Sequence, residues 1–157
     1  MKSLILAMVG AFCGLAAAAE PPEFPRPADL AFRDFYRLPV GPRGLEPNAR
    51  LLALDGQRVR ITGYMAALAD APPGLLILSA VPVRLGDEDE SFADDLPPAA
   101  VYVHLVDTDV VVPLHRQLLT LTGRLQIGPL AEADGRLSFV RLILEAESSA
   151  ALTRSRP

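Results

Sequence analysis

From Gln57 onward, apolar residues recur at every second position, and this alternation constrains the fold more than any other feature of the chain. Val59, Ile61, Gly63 and Met65 alternate with Arg58, Arg60, Thr62 and Tyr64, the period-2 signature of a strand with one face buried. A second run spans Leu75–Val81 after the turn Pro72-Pro73-Gly74, and a third spans Ala100–Val106. A fourth, Leu118–Ile127, and a fifth, Leu137–Leu144, are separated by a loop containing Asp134-Gly135, a hairpin signal. No long helical pattern lies between these runs, which disfavours a parallel α/β architecture. The expected fold is all-β.

The first and fourth runs each carry Thr-Gly at mid-length, Thr62-Gly63 and Thr122-Gly123. A mid-strand glycine weakens a flat strand but permits the sharp coiling of a small barrel. Five strands with a long excursion between the second and third suit an OB-like Greek-key barrel; an open β-sandwich is the alternative. The helix that usually joins strands three and four of such a barrel would fall near Asp107–Gln117. There Val110, Val111, Val112 and Pro113 oppose it.

Ahead of the strands lies a small helical or irregular segment. Glu20–Pro27 holds four prolines in eight residues and reads as an extended arm. In Asp29–Leu38, Asp29 could cap a helix carrying Phe32, Phe35 and Tyr36 at helical spacing, or these aromatics could strap over a barrel end. Pro39 ends either arrangement. Gly41-Pro42-Arg43-Gly44 is turn-rich, and Pro47–Leu54 can form two short helical turns with Gly56 just beyond.

The N-terminus combines Lys2, an apolar stretch from Leu4 to Leu15 and the small residues Ala16–Ala19, the three parts of a secretory signal with cleavage after Ala19. The apolar stretch is too short for a membrane anchor. Cys13 is the single cysteine and lies inside this stretch, so the processed chain holds no disulfide, thiolate metal site or cysteine nucleophile. Its expected organisation is a signal peptide over 1–19, a Pro-rich arm and strap over 20–47, an OB-like barrel domain over 48–147, and a disordered tail over 148–157. The expected location is the periplasm, with no stable membrane insertion.

Several segments are similar to a family of exported bacterial proteins. They are Phe35–Pro47, Leu54–Met65, the acidic stretches Gly86–Glu90 and Asp94–Pro97, and Asp134–Leu142. The resemblance implies an OB-like domain of unknown function, related to a broader group tied to metal or solute transport systems. Some members of that broader group carry cysteines after the second strand. Ser79–Gly86 has none here, so no thiolate-metal role transfers, and the resemblance supplies no catalytic residues.

Three patterns carry candidate chemistry. Arg58, Arg60 and Tyr64 share one face of the first strand, and Tyr102 and His104 share a face of the third. Were those strands neighbours in a barrel wall, these residues would form a surface for an anionic solute or a protein partner. The alternative is an ordinary solvated sheet face. The acidic run offers six carboxylates within nine residues, Asp87, Glu88, Asp89, Glu90, Asp94 and Asp95. Hard cations take roughly six to eight oxygen ligands, so a metal-handling role using Asp87, Asp89, Glu90, Asp94 and Asp95 with a histidine is the competing function. An EF-hand register from Asp87 fails at Phe92 and Pro98, and such runs are ordinarily solvated. Finally, Arg43 sits in a glycine-bracketed turn that could present its guanidinium to an anion.

Enzymatic motifs are missing. His104 and His115 are the only histidines, in no recognisable nucleophile or zinc pattern. His115 is expected at the surface near the start of the fourth strand. A formal charge of −4 and the absence of tryptophan argue against a nucleic-acid groove. Every cation after Lys2 is an arginine, which composition bias explains without any site. The sequence therefore reads as an exported, non-enzymatic binding or accessory module without cofactors, serving an unknown envelope protein or a small anionic solute.

Overall fold

A computed structural model describes residues 26–85, 96–133 and 135–154. The signal segment with Ala19, the first part of the Pro-rich arm and the acidic run from Asp87 to Asp95 lie outside the described residues.

The strands are β1 (Ala28–Leu30), β2 (Arg58–Met65), β3 (Ala67–Leu68), β4 (Leu75–Ser79), β5 (Arg84–Leu85), β6 (Val101–His104), β7 (Leu119–Ala131) and β8 (Leu137–Leu144). The helices are α1 (Ala49–Ala53) and α2 (Ala146–Arg154), with a 3₁₀ turn at Phe32–Asp34. The protein is all-β with little helix, as the alternation implied.

Five strands form a ring of hydrogen bonds. β2 pairs antiparallel with β4, β4 antiparallel with β6, β6 parallel with β8, and β8 antiparallel with β7. β7 returns to β2 through six residue pairs from Arg58↔Arg124 to Gly63↔Leu119. The edges that an open sandwich would leave on β2 and β7 are thus paired with each other.

Both Thr-Gly glycines lie inside strands, at the closure. β2 pairs with β7 through Gly63 and with β4 from Tyr64 onward, so one pairing ends and the other begins at the glycine. A Cβ at Gly63 would stand 2.7 Å from the Phe32 ring and 2.8 Å from the Ser79 carbonyl oxygen; at Gly123 it would collide with the Ile143 carbonyl of β8. Only glycine lets these backbones approach so closely.

The ring encloses one core. Val59, Ile61, Leu76, Leu78, Val101, Val103, Leu121, Leu125, Val140, Leu142 and Leu144 point inward and are almost fully buried. Phe35 and Leu51 are fully buried in the same cluster. The strap therefore does pack on the core: Phe32 stacks on Phe35 with ring centroids 5.3 Å apart, and the Tyr36 hydroxyl donates to Pro98 O at 2.7 Å. The possible helix over Asp29–Leu38 resolves into strand and 3₁₀ turn, because Ala28–Leu30 finds a parallel partner in Val59–Ile61. α1 forms where expected, its first turn capped by the Asn48 side chain, which accepts from Arg50 N at 3.1 Å.

A second, smaller core lies outside the ring. Ala66, Leu75, Ile77, Ala100 and Tyr102 are buried together, with Leu68, Val83 and Leu96 against them. β4 is consequently buried on both faces. That explains why Leu75-Leu76-Ile77-Leu78 is a continuous apolar run instead of an alternating one.

The Asp107–Gln117 connection contains no helix, as its valines and proline required, and it drops Val112 into the main core. The tail from 148, expected to be disordered, is instead helical as far as Arg154. Burial of Ser149 and Leu152 holds α2 in place, since a short helix is stabilised chiefly by packing one face.

Candidate functional site

The structure separates the five outer-wall residues that the sequence grouped together. Arg58 grips Glu145 through two nitrogens, Nε to Oε1 and Nη2 to Oε2, the latter at 2.7 Å. Arg60 Nε donates to Asp29 Oδ1 at 2.8 Å. These contacts hold the Glu145 and Asp29 carboxyls below their ordinary carboxylate range, the charge-assisted hydrogen bond being the main cause in each case. Tyr102 is buried in the outer core. His104 Nε2 lies 3.3 Å from Oε2 of Glu132, whose side chain is only 4% exposed. None of these four therefore joins an open surface of free donors.

Of the His104–Glu132 pair, His104 ends β6 and Glu132 belongs to the β7–β8 hairpin. Gly135 N donates to Glu132 O and Glu132 N to Arg136 O, closing the turn that Asp134-Gly135 announced. Arg141 of β8 donates from Nη1 to Gly128 O at 2.7 Å and to Ser138 Oγ at 3.1 Å. It thereby ties down the bulge between Ile127 and Leu130. The role of this buried polar group is to hold the bent hairpin against the wall.

Tyr64, the fifth residue, has different surroundings. It lines a pocket of about 290 Å³ with Met65, Ala67, Pro82, Val83, Arg84, Leu114, His115 and Arg116. β2 supplies Tyr64 and Met65; the segment ending in β5 supplies Pro82, Val83 and Arg84, held by the parallel pairing Ala67↔Arg84 and Leu68↔Leu85. The helix-free connection supplies Leu114, His115 and Arg116. His115 Nε2 is buried and has no hydrogen-bond partner among the described residues. Among the described residues, neither Arg84 nor Arg116 has a carboxylate partner. Two guanidiniums without a carboxylate partner among the described residues, an imidazole nitrogen and a phenol thus line one concavity together with apolar side chains.

This arrangement suits anion recognition. Guanidiniums present forked donors matched to carboxylate or phosphate, and a buried ring nitrogen without a partner is a polar group awaiting one. Sequence reasoning placed His115 at the surface and singled out neither Arg84 nor Arg116. Its available signal was the adjacency of His115 and Arg116 in a stretch that could not form a helix.

A wider groove of about 630 Å³ runs along Arg58, Arg124, Gln126, Ile143, Glu145 and Glu147, but the Arg58–Glu145 pair occupies its wall. Among the described residues, no three histidine, cysteine or carboxylate side chains cluster as a metal site. Arg43 pairs with Glu46 at 2.7 Å, so its turn serves the strap. No helix among the described residues is long and apolar enough to cross a membrane.

No protein-family model matches the chain, and no curated protein matches it. Among solved structures it is similar to a DUF3299 family protein from Pseudomonas aeruginosa, with a TM-score of 0.46 and 14% sequence identity, over 76% of this chain and 93% of that one.

Proposed function

We propose that the protein is an exported, non-enzymatic binding module, an OB-like barrel that holds a small anionic solute at the pocket of Tyr64, Arg84, His115 and Arg116. One observation carries the reading. Arg84 and Arg116 line a concavity without carboxylate partners among the described residues, whereas Arg58 and Arg60 of the neighbouring wall are both neutralised. The proposed export rests on the Met1–Ala19 pattern, and the OB-like reading rests on strand order and directions around the ring.

The test is titration of the isotope-labelled chain with acetate and with inorganic phosphate, followed by NMR. Saturable shifts centred on Tyr64 and His115, lost in the Arg84→Ala/Arg116→Ala double variant, are expected. Absence of any saturable response to acetate, phosphate and longer carboxylates would overturn the proposal.

A further inference from the structure

We infer that the solute held at the Tyr64–Arg116 pocket is an amphipathic monoanion, a carboxylate on an apolar body of modest length; this rests on the anion-binding reading above. The lining carries the first part of the argument. Met65, Ala67, Pro82, Val83 and Leu114 supply an apolar majority beside the four polar side chains. An inorganic anion would leave that surface wet and gain nothing from it, whereas an aliphatic body would remove it from water. Leu114 is 45% exposed, so a bound chain can cover it.

Volume carries the second part. With about 30 Å³ for each water-sized unit, a cavity of about 290 Å³ accommodates on the order of ten heavy atoms. Phosphate or acetate fills half or less of that space; an eight-carbon carboxylate fills it.

Charge carries the third. The chain as a whole is acidic, at −4, so a second negative charge on the ligand would meet a repulsive net field, and a single charge on the head is favoured. Arg84, Arg116 and the His115 Nε2 face the head, and the methylenes lie along Val83 and Leu114.

The experiment is calorimetric titration of the full chain with acetate, butanoate, hexanoate and octanoate, with octanol and inorganic phosphate for comparison. Affinity is expected to rise up to about fourfold per added methylene, the full burial value, and to level off near octanoate. Octanol is expected to bind at least tenfold more weakly than octanoate. A Val83→Ser/Leu114→Ser variant should flatten the series while leaving the acetate response in place. Equal affinity across the series, or phosphate binding as tightly as octanoate, overturns the amphipathic ligand and leaves the anion site standing. No response to any anion overturns both, and octanol matching octanoate shows an apolar pocket with no anion selectivity and also defeats both.

Discussion

Strand β2 carries polar side chains into two contrasting settings. At its start, Arg58 and Arg60 meet Glu145 and Asp29, and their charges are spent on joining α2 and β1 to the wall. At its end, Tyr64 opens onto Arg84 and Arg116, which have no carboxylate partner among the described residues. Residues of one type thus serve assembly in one place and, in the function proposed above, recognition in the other. What separates the two is the presence of a carboxylate within reach. A guanidinium already bonded in two places has little left to offer a ligand, whereas an unpaired one beside an apolar cavity retains its full donor capacity.

The comparison can be broken most severely at the wall. Gly123→Ala forces a methyl group into the Ile143 carbonyl and should lower the unfolding free energy by about 3 kcal/mol, read by chemical denaturation. A near-neutral result would show that the β7–β8 approach is not tight. Next in size is the pocket. Arg84→Ala and Arg116→Ala should each weaken octanoate binding about tenfold while shifting stability by no more than about 0.5 kcal/mol. Loss of stability without loss of binding would move these residues into the first group.

Arg58→Ala sharpens the contrast from the other side. It should lower Tm and leave octanoate affinity unchanged, and the double variant with Glu145→Gln should destabilise by less than the sum of the two single changes. The same pair predicts an acid effect. The Arg58 guanidinium depresses the folded-state pKa of Glu145 below its ordinary 4.5. The stabilisation is therefore fully present above about pH 4.5 and is lost as pH falls through the folded value. Melting curves from pH 6 down to 3 should show a steeper decline for the wild type than for Glu145→Gln. The smallest effect is expected at Arg60→Ala. Its partner Asp29 is 72% exposed, and so open an ion pair contributes little; a large drop in Tm would show that β1 depends on it.

Much of the wall was legible in the residues. Alternation in Arg58–Met65 set which side chains enter the core, Thr62-Gly63 and Thr122-Gly123 marked the strands that close the ring, and Val110–Pro113 excluded a helix. These are local consequences of backbone sterics and burial. Tyr102 and His104 were harder to place. Their strand position aimed them outward, but outward is not exposed where β3 and β5 cover β4 and β6, or where a hairpin brings Glu132 to 3.3 Å. The unbroken Leu75–Leu78 run was the one available sign of that cover. The pocket was harder still, because Tyr64, Arg84 and His115 are far apart along the chain and nothing local links them.

The order of residues alone thus determined an all-β chain, its inward faces and the two points where its strands must bend, since these follow from side-chain period and the sterics of single positions. Tertiary structure alone decided which arginines are neutralised and which have no carboxylate partner among the described residues. Charge pairing is a matter of a few ångströms between side chains from distant strands, and only the closed ring sets those distances.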